Sequence, residues 1–117
     1  MPESPLPDIR EEHWAIVRYI LRQHVPQHDV WAFGSRAKRA SKPYSDLDLA
    51  VIGDRPLSLE THGALVDASA ESELPWRVDV ADWATTAEAF RSIIERDKVV
   101  VQQGRDPLSA RAPAPSS

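Results

Sequence analysis

Two acidic residues, Asp46 and Asp48, are separated by a single leucine in a stretch that reads as a β-strand. Side chains alternate across a strand, so both carboxylates are expected on one face, with backbone positions roughly 7 Å apart. Carboxylates held that close repel each other unless a proton or a cation intervenes. All-oxygen ligands suit Mg²⁺, which usually completes its coordination with water and substrate phosphates. The pattern therefore indicates a magnesium site.

An isolated D-x-D pair is also typical of the wet face of a strand, and that alternative stays open on the pair alone. The surrounding sequence favours a site, because Leu47 and Leu49 supply a separate buried face. Ala50 and Ile52 continue the carboxylate face with apolar side chains. An acidic pair followed by apolar residues on the same face is expected at the rim of a pocket.

Gly34 and Ser35 end a short apolar strand, Val30 to Phe33, and precede a polar segment. Free backbone N–H groups and a hydroxyl at such a turn can hold a phosphate, and glycine allows the phosphate to approach closely. The alternative is an ordinary turn with a serine cap. Arg36 opens a cationic segment with Lys38, Arg39 and Lys42, which favours an anionic ligand beside this turn.

Asp79 lies between two valines in a third predicted strand, Arg77 to Trp83. If this strand is adjacent to the second, Asp79 joins Asp46 and Asp48 on one face. The alternative is a solvent-facing residue of an edge strand. Asp82 is a competitor that falls on the opposite face from Asp79.

Four helical segments are predicted: one before the first strand, two between strands and one after the third strand. Asp8 and Glu11 resemble a capping box at the start of the first helix, which ends at Pro26. A short helix follows Gly34-Ser35, Ser58 caps a helix to about Glu73, and Thr85 or Thr86 caps the last. The residues expected to face inward are Trp14, Val17, Ile20, Leu21 and Val25 in the first, Leu59, Leu65, Val66 and Ala70 in the third, and Phe90, Ile93 and Ile94 in the last.

The resulting order, α-β-α-β-α-β-α, predicts an α/β domain with helices packed on a small mixed sheet. Residues 98–102 form a closing strand or a last helical turn. Six of the ten prolines lie near the two ends of the chain. We therefore predict flexible tails over residues 1–7 and 106–117, flanking one domain over residues 8–105.

Composition limits the function classes. The 117 residues suit one domain, and the absence of cysteine excludes disulfides, cysteine-ligated zinc and a thiol nucleophile. The net charge of −4 argues against direct nucleic-acid binding through an overall basic surface. No apolar stretch reaches the ~20 residues of a membrane span, and the N-terminus lacks the features of a secretory signal. A small cytoplasmic domain with no membrane association is expected.

Gly34-Ser35, ten intervening residues and Asp46-Leu47-Asp48 resemble the signature GS-x10-D-x-D of the minimal nucleotidyltransferases. Asp79 is similar to the third acid of this polymerase-β-like superfamily. The resemblance implies that Asp46, Asp48 and Asp79 bind two Mg²⁺ ions and that Asp79 helps to deprotonate the acceptor. It also implies that Gly34 and Ser35, with Arg36 beside them, bind the phosphates of ATP. Ala40 departs from the family, in which glycine is common at that position.

Small members of this family are antitoxins that transfer AMP from ATP to a tyrosine of a partner HEPN-domain ribonuclease. The resemblance implies the same activity and partner here, with an interface that borders the acidic residues. Two alternatives remain open at this point. The chain could neutralise its partner by binding alone, or it could modify a small molecule in a site completed by oligomerisation. A neighbouring reading frame that encodes a small helical protein with an R-x4-6-H motif would favour the toxin pairing.

Overall fold

The structure is a computed structural model that describes Leu6 and residues 9–34 and 46–104. The predictions made for Ser35, Arg36 and Ala40, for the short helix after Gly34, and for most of both tails lie outside these residues. Leu6 belongs to the predicted N-terminal tail, but it is only 1% exposed and packs in the hydrophobic core.

The described part of the chain contains three α-helices and four strands. The helices are α1 (Glu11–His24), α2 (Leu59–Glu71) and α3 (Glu88–Asp97). The strands are β1 (Asp29–Phe33), β2 (Leu47–Ile52), β3 (Val78–Asp82) and β4 (Val99–Gln102). A single 3₁₀ turn, Trp83–Thr85, joins β3 to the loop before α3. Residues 98–102 were predicted to form either a strand or a helical turn, and the structure shows a strand, β4, over Val99–Gln102.

The strands form one mixed sheet in the order β3-β2-β1-β4. β1 pairs antiparallel with both β2 and β4, whereas β2 and β3 are parallel. A parallel pair needs a crossover connection, and α2 supplies it. This arrangement confirms the predicted class of fold and places the second and third strands side by side.

One face of the sheet carries the core, which α1 and α2 cover. Leu47, Leu49 and Val51 of β2 are buried there, as predicted from their alternation. The helices contribute apolar side chains that include Trp14, Val17, Ile20, Leu21 and Leu65. Because β2 buries only every second side chain in this core, the intervening residues are free to carry chemistry on the other face.

The helix boundaries differ from the prediction in two places. Helix α1 begins at Glu11 with Arg10 at its N-cap and no side-chain capping bond, so the expected start at Asp8 was too early. Helix α3 begins after Ala87, which also lacks a side-chain cap. Thr86 instead donates from its hydroxyl to the carbonyl of Asp82 at 2.7 Å. Its hydroxyl is therefore used to close the turn that follows β3.

The inward faces of α2 and α3 were also partly mispredicted. Leu65 and Ile94 are buried as expected, but Leu59 is 92% exposed and Val66 39% exposed. Ala70, Phe90 and Ile93 are exposed as well. Ser69 of α2 is buried, and its hydroxyl donates to the carbonyl of Leu65 at 2.9 Å. A serine that satisfies its hydroxyl within its own helix can replace an apolar residue on the inner face.

No helix in the described ranges combines the length and apolarity that crossing a membrane would require.

Candidate active site

A row of three side chains crosses the sheet on the face opposite the core. Phe33 of β1 is the register partner of Asp48 in β2, and Asp48 is the register partner of Asp79 in β3. Register partners point to the same face, and neighbouring strands lie about 4.8 Å apart. The structure thus brings Asp48 and Asp79 together, as the sequence predicted for adjacent strands.

Asp46 immediately precedes β2 and is half-buried. The backbone N–H of the next residue, Leu47, donates to the carbonyl of Arg77 at 2.8 Å, which fixes this end of β2 against the start of β3. Asp46 is close enough to Asp48 for the two charges to interact. All three predicted carboxylates therefore lie at one end of the β2–β3 pair.

The electrostatics of Asp48 reflect this crowding. Burial raises the pKa of Asp48 above its ordinary value of 3.8, and the negative charges of Asp79 and Asp46 raise it further. A carboxylate surrounded in this way has little compensation for its charge within the described protein. A bound cation would offset both effects, since its ligation replaces the hydration that Asp48 loses on burial and its charge reduces the repulsion from Asp79 and Asp46.

Gly34 lies directly beside Asp48. It is the one described glycine with a positive φ, 77°, a conformation that other L-residues rarely adopt. A Cβ atom at this position would collide with Oδ2 of Asp48. The glycine therefore permits both the turn after β1 and close approach of the backbone to the carboxylate. These are the properties predicted for the first residue of a phosphate-binding turn.

Asp79 has a neighbour that the sequence prediction did not include. The guanidinium Nη2 of Arg77 lies 3.7 Å from Asp79 Oδ1, with the two side chains 80% and 51% exposed. At this exposure the pair adds little to stability. Residues 77 and 79 share one side of the predicted strand, but their pairing depends on side-chain geometry that the sequence pattern does not give. Arg77 therefore supplies a positive charge at the solvent side of the carboxylates.

The carboxylates are not yet arranged around one point. Within Leu6 and residues 9–34 and 46–104, no three side chains of Asp, Glu, His or Cys form a ready-made metal cluster. Asp48 approaches Gly34, whereas Asp79 is turned toward Arg77. The donor set is nevertheless entirely of carboxylate oxygen, which is the chemistry that Mg²⁺ prefers.

Asp82 is excluded from the site, as predicted. It is the register partner of Val51 and so belongs to the core face. Its carboxylate accepts from the backbone N–H of Leu57 at 2.7 Å and of Ala84 at 3.3 Å. Asp82 therefore holds together the loops that follow β2 and β3.

Two histidines lie away from the carboxylates, beside the loop that follows β2. His24 and His28 both line a cavity of about 510 Å³ near the far end of β2. The imidazole Nδ1 of His28 hydrogen-bonds to the carbonyl of Ile52 at 2.9 Å, which gives that ring a structural partner.

On the β1 side of Asp48, aromatic residues connect this face of the sheet to α3. Phe33 meets Phe90 edge to face, with ring centroids 5.6 Å apart. Trp31 and Trp83 pack in the same manner at 5.3 Å. Cations cover both tryptophan rings, Lys98 over Trp31 and Arg91 over Trp83.

The two other tryptophans, Trp14 and Trp76, are buried.

An open cavity of about 740 Å³ lies on the other side of the carboxylates, between α2 and the outer edge of β3. Asp46 and Asp79 form its acidic end. Most of the remaining lining is apolar and includes Val66, Ala70, Leu74, Pro75 and Val80. The sequence did not predict this cavity, because Val66 and Ala70 were expected to lie in the core.

Comparison with known proteins identifies the family. The family model described as "Polymerase beta, Nucleotidyltransferase" matches residues 17–106. The chain belongs to this nucleotidyltransferase family. It is also 55% identical over 96 residues to a probable protein adenylyltransferase, MntA, of Haemophilus influenzae, an alignment that covers 82% of this chain and 84% of the relative. The nucleotidyltransferase assignment made from GS-x10-D-x-D is therefore confirmed.

Solved structures of the same fold support the architecture. A toxin–antitoxin structure with AMP-PNP superposes with a TM-score of 0.65 at 19% identity, covering 83% of this chain and 77% of the other. A tri-AMPylated Shewanella oneidensis HEPN toxin in complex with an MNT antitoxin gives a TM-score of 0.60 at 18% identity, covering 81% and 72%. At these identities the likeness establishes the polymerase-β-like fold.

Proposed function

We propose that this nucleotidyltransferase transfers AMP from ATP to a tyrosine hydroxyl of a HEPN-domain toxin and so acts as its antitoxin. The observation that carries the proposal is the placement of Asp48 and Asp79 as register partners, with Gly34 against Asp48. The similarity to a probable protein adenylyltransferase supports AMP as the transferred group. The AMPylated toxin found with a structural neighbour supports a protein acceptor.

The residues present fit magnesium. Asp48 is half-buried, and two further carboxylates that raise its pKa stand next to it, so a divalent cation has both ligands and an electrostatic reason to bind. Asp46, Asp48 and Asp79 would hold the two Mg²⁺ ions of the family. When bound, such ions stabilise negative charge on the attacking and leaving oxygens of a phosphoryl transfer.

The protein's own groups orient the reaction. The turn of Gly34, with Ser35 and Arg36 after it, is proposed to bind the terminal phosphates. The tyrosine oxygen forms a bond to the α-phosphorus, the bond between the α-phosphorus and the bridging oxygen breaks, and pyrophosphate leaves. Asp79 accepts the hydroxyl proton. In-line transfer of this kind depends mainly on position and charge stabilisation. We also propose a cytoplasmic location, which the ATP and the ribonuclease partner of the proposed reaction support.

The test is incubation of the purified chain with ATP, Mg²⁺ and the protein encoded by the adjacent reading frame. Intact-mass spectrometry should show a gain of one or more AMP units on that protein, and peptide mapping should place them on tyrosine. Reactions with Asp48→Asn, or with EDTA, serve as negative controls. Inhibition of the ribonuclease without any mass gain would instead establish neutralisation by binding alone. AMP transfer to a metabolite, with none to protein, would establish the small-molecule alternative.

A further inference from the structure

The strand order places two features on opposite sides of the carboxylates. Gly34 directly follows β1, which lies on one side of β2, whereas the cavity of about 740 Å³ borders β3, which lies on the other. Asp48 contacts the Gly34 side and Asp79 contacts the cavity. The carboxylates therefore lie between Gly34 on one side and the cavity on the other.

In-line displacement requires the attacking and leaving oxygens to lie on opposite sides of the phosphorus. If pyrophosphate leaves toward Gly34, the acceptor must enter from the side of β3. We propose that this cavity, an open groove between α2 and the outer edge of β3, seats the tyrosine-bearing segment of the partner protein. This inference rests on the proposed function and adds to it the surface that recognises the acceptor.

The groove suits an extended peptide. In the described part of the chain β3 pairs with β2 alone, so its outer edge offers backbone groups for an added strand. Strand addition supplies affinity through main-chain hydrogen bonds and specificity through pockets for alternate side chains. Val66 and Ala70 of α2 give the groove an apolar wall beside that edge. A peptide paired with β3 would be carried directly past Asp79.

Charge favours a neutral hydroxyl over an anionic metabolite. The inner end of the groove carries Asp46 and Asp79, and the only described cation in its lining is Arg77. A phosphorylated or carboxylated acceptor would meet two like charges there, whereas a phenol with uncharged neighbours in sequence would not. The volume also exceeds what a lone aromatic ring fills, which leaves room for residues that flank the tyrosine. The occupant is therefore a protein segment.

Substitution on the groove wall tests this inference away from the carboxylates. Val66→Arg should lower kcat/KM for AMP transfer to the partner at least ~10-fold, chiefly through KM, because a bulky cation would enter the docking surface. ATP affinity and the unfolding temperature should stay at wild-type values. Leu59→Arg is the matched control, since it adds the same group to the same helix at a fully exposed position outside the cavity. It should transfer AMP like the wild type.

Cross-linking identifies the occupant directly. The chain has no cysteine, so Ala70→Cys creates a unique site on the groove wall, with Leu59→Cys as the control. A thiol-linked benzophenone at residue 70 should capture partner peptides that include or adjoin the modified tyrosine, and the control should not. Capture of this chain's own residues 105–117 would overturn the inference, because the groove would then be filled internally.

The two levels of the proposal fail separately. If wild-type protein transfers no AMP to the partner, the proposed function is wrong. If the wild type transfers AMP and Val66→Arg does so with an unchanged kcat/KM, the function stands and the groove is not the acceptor site.

Discussion

The two faces of β2 differ sharply although they alternate residue by residue. Leu47, Leu49 and Val51 are completely enclosed between the sheet and two helices. On the reverse face, Asp48 is half-buried and adjoins Asp79, and its other register partner, Phe33, contacts Phe90. One face therefore stabilises the fold, whereas the other holds acidic groups whose mutual repulsion adds to the raised pKa of Asp48.

This division explains how so short a strand can carry a catalytic pair. Because side chains alternate with a period of two residues, a strand can bury aliphatic residues on one face while the residues between them point to the other face. Crowding on the second face costs stability, as the raised pKa of Asp48 indicates. Functional sites commonly retain such unfavourable arrangements because the bound ligand makes use of them. The comparison predicts opposite consequences for substitutions on the two faces.

The largest effect is expected from Asp48→Asn. Loss of a full charge from the proposed magnesium site should reduce AMP transfer at least ~10³-fold, equivalent to about 4 kcal/mol of transition-state stabilisation. The metal-free variant should unfold at the same temperature as the wild type or higher, because it removes a poorly compensated charge. Transfer assays measure the loss of activity, and thermal unfolding measures the change in unfolding temperature. Near-normal turnover in a folded variant would rule out the role given to Asp48.

The same variant gives a pH test. The folded state binds the Asp48 proton more tightly than the unfolded chain, so the wild-type protein loses stability as pH rises from 3.8 through the raised pKa. Asn lacks this titration. The stability difference between the two metal-free proteins should therefore vanish below about pH 3.8 and grow above it, as followed by urea unfolding. A constant difference at every pH would contradict this account.

Leu49→Ala on the core face should have the converse result. Truncation of this buried leucine is expected to lower the free energy of unfolding by about 2–5 kcal/mol. At a temperature where the variant stays folded, AMP transfer per folded molecule should be close to wild type. Urea denaturation and active-site titration separate the two quantities. Loss of transfer without loss of stability would mean that the faces are not independent.

The sequence predicted the carboxylate side of this comparison well. Alternation in β2 and β3, together with the spacing from Gly34-Ser35 to Asp46, was enough to place Asp48 and Asp79 on one face. It also separated Asp82 from them, since an odd number of residues along a strand reverses the face. These inferences succeeded because a strand has one simple period and because adjacent parallel strands keep their faces aligned.

The helices were harder to predict. In α2, four apolar residues were predicted to face inward, but the helix buries Leu65 and Ser69 and leaves Val66 and Ala70 to the groove. Hydrophobicity alone could not distinguish a core contact from an exposed groove wall. Arg77 was overlooked for a related reason, because its relation to Asp79 depends on side-chain geometry at the open edge of β3. The acceptor side of the site was thus invisible at the level of pattern.

An intermediate effect is expected from Gly34→Ala, at the junction of the phosphate turn and the carboxylate face. A positive φ is costly for alanine by about 1–2 kcal/mol, and its Cβ would displace the Asp48 carboxylate. AMP transfer should fall roughly 10–100-fold. The loss should exceed the change in overall stability, since the clash is confined to the site. Equal losses in Gly34→Ala and in an alanine at Gly63, which has open space around it, would show that the position is not special.

The smallest effect concerns the end of β2 away from the carboxylates, where Ser58 caps α2. Its hydroxyl oxygen accepts from the backbone N–H of Thr61 at 3.0 Å, so Ser58→Ala leaves a helix-end donor without that partner. The expected cost is about 1 kcal/mol in unfolding free energy, and Ser58→Asp should recover most of it because a carboxylate can accept the same bond. AMP transfer should not change, since the cap fixes only the start of the helix whose later residues form the groove. A selective rise in KM for the partner in Ser58→Ala, reversed in Ser58→Asp, would instead show that the position of α2 is tuned from its capped end. Helix α2 would then contribute both to the stability of the fold and to the positioning of the partner.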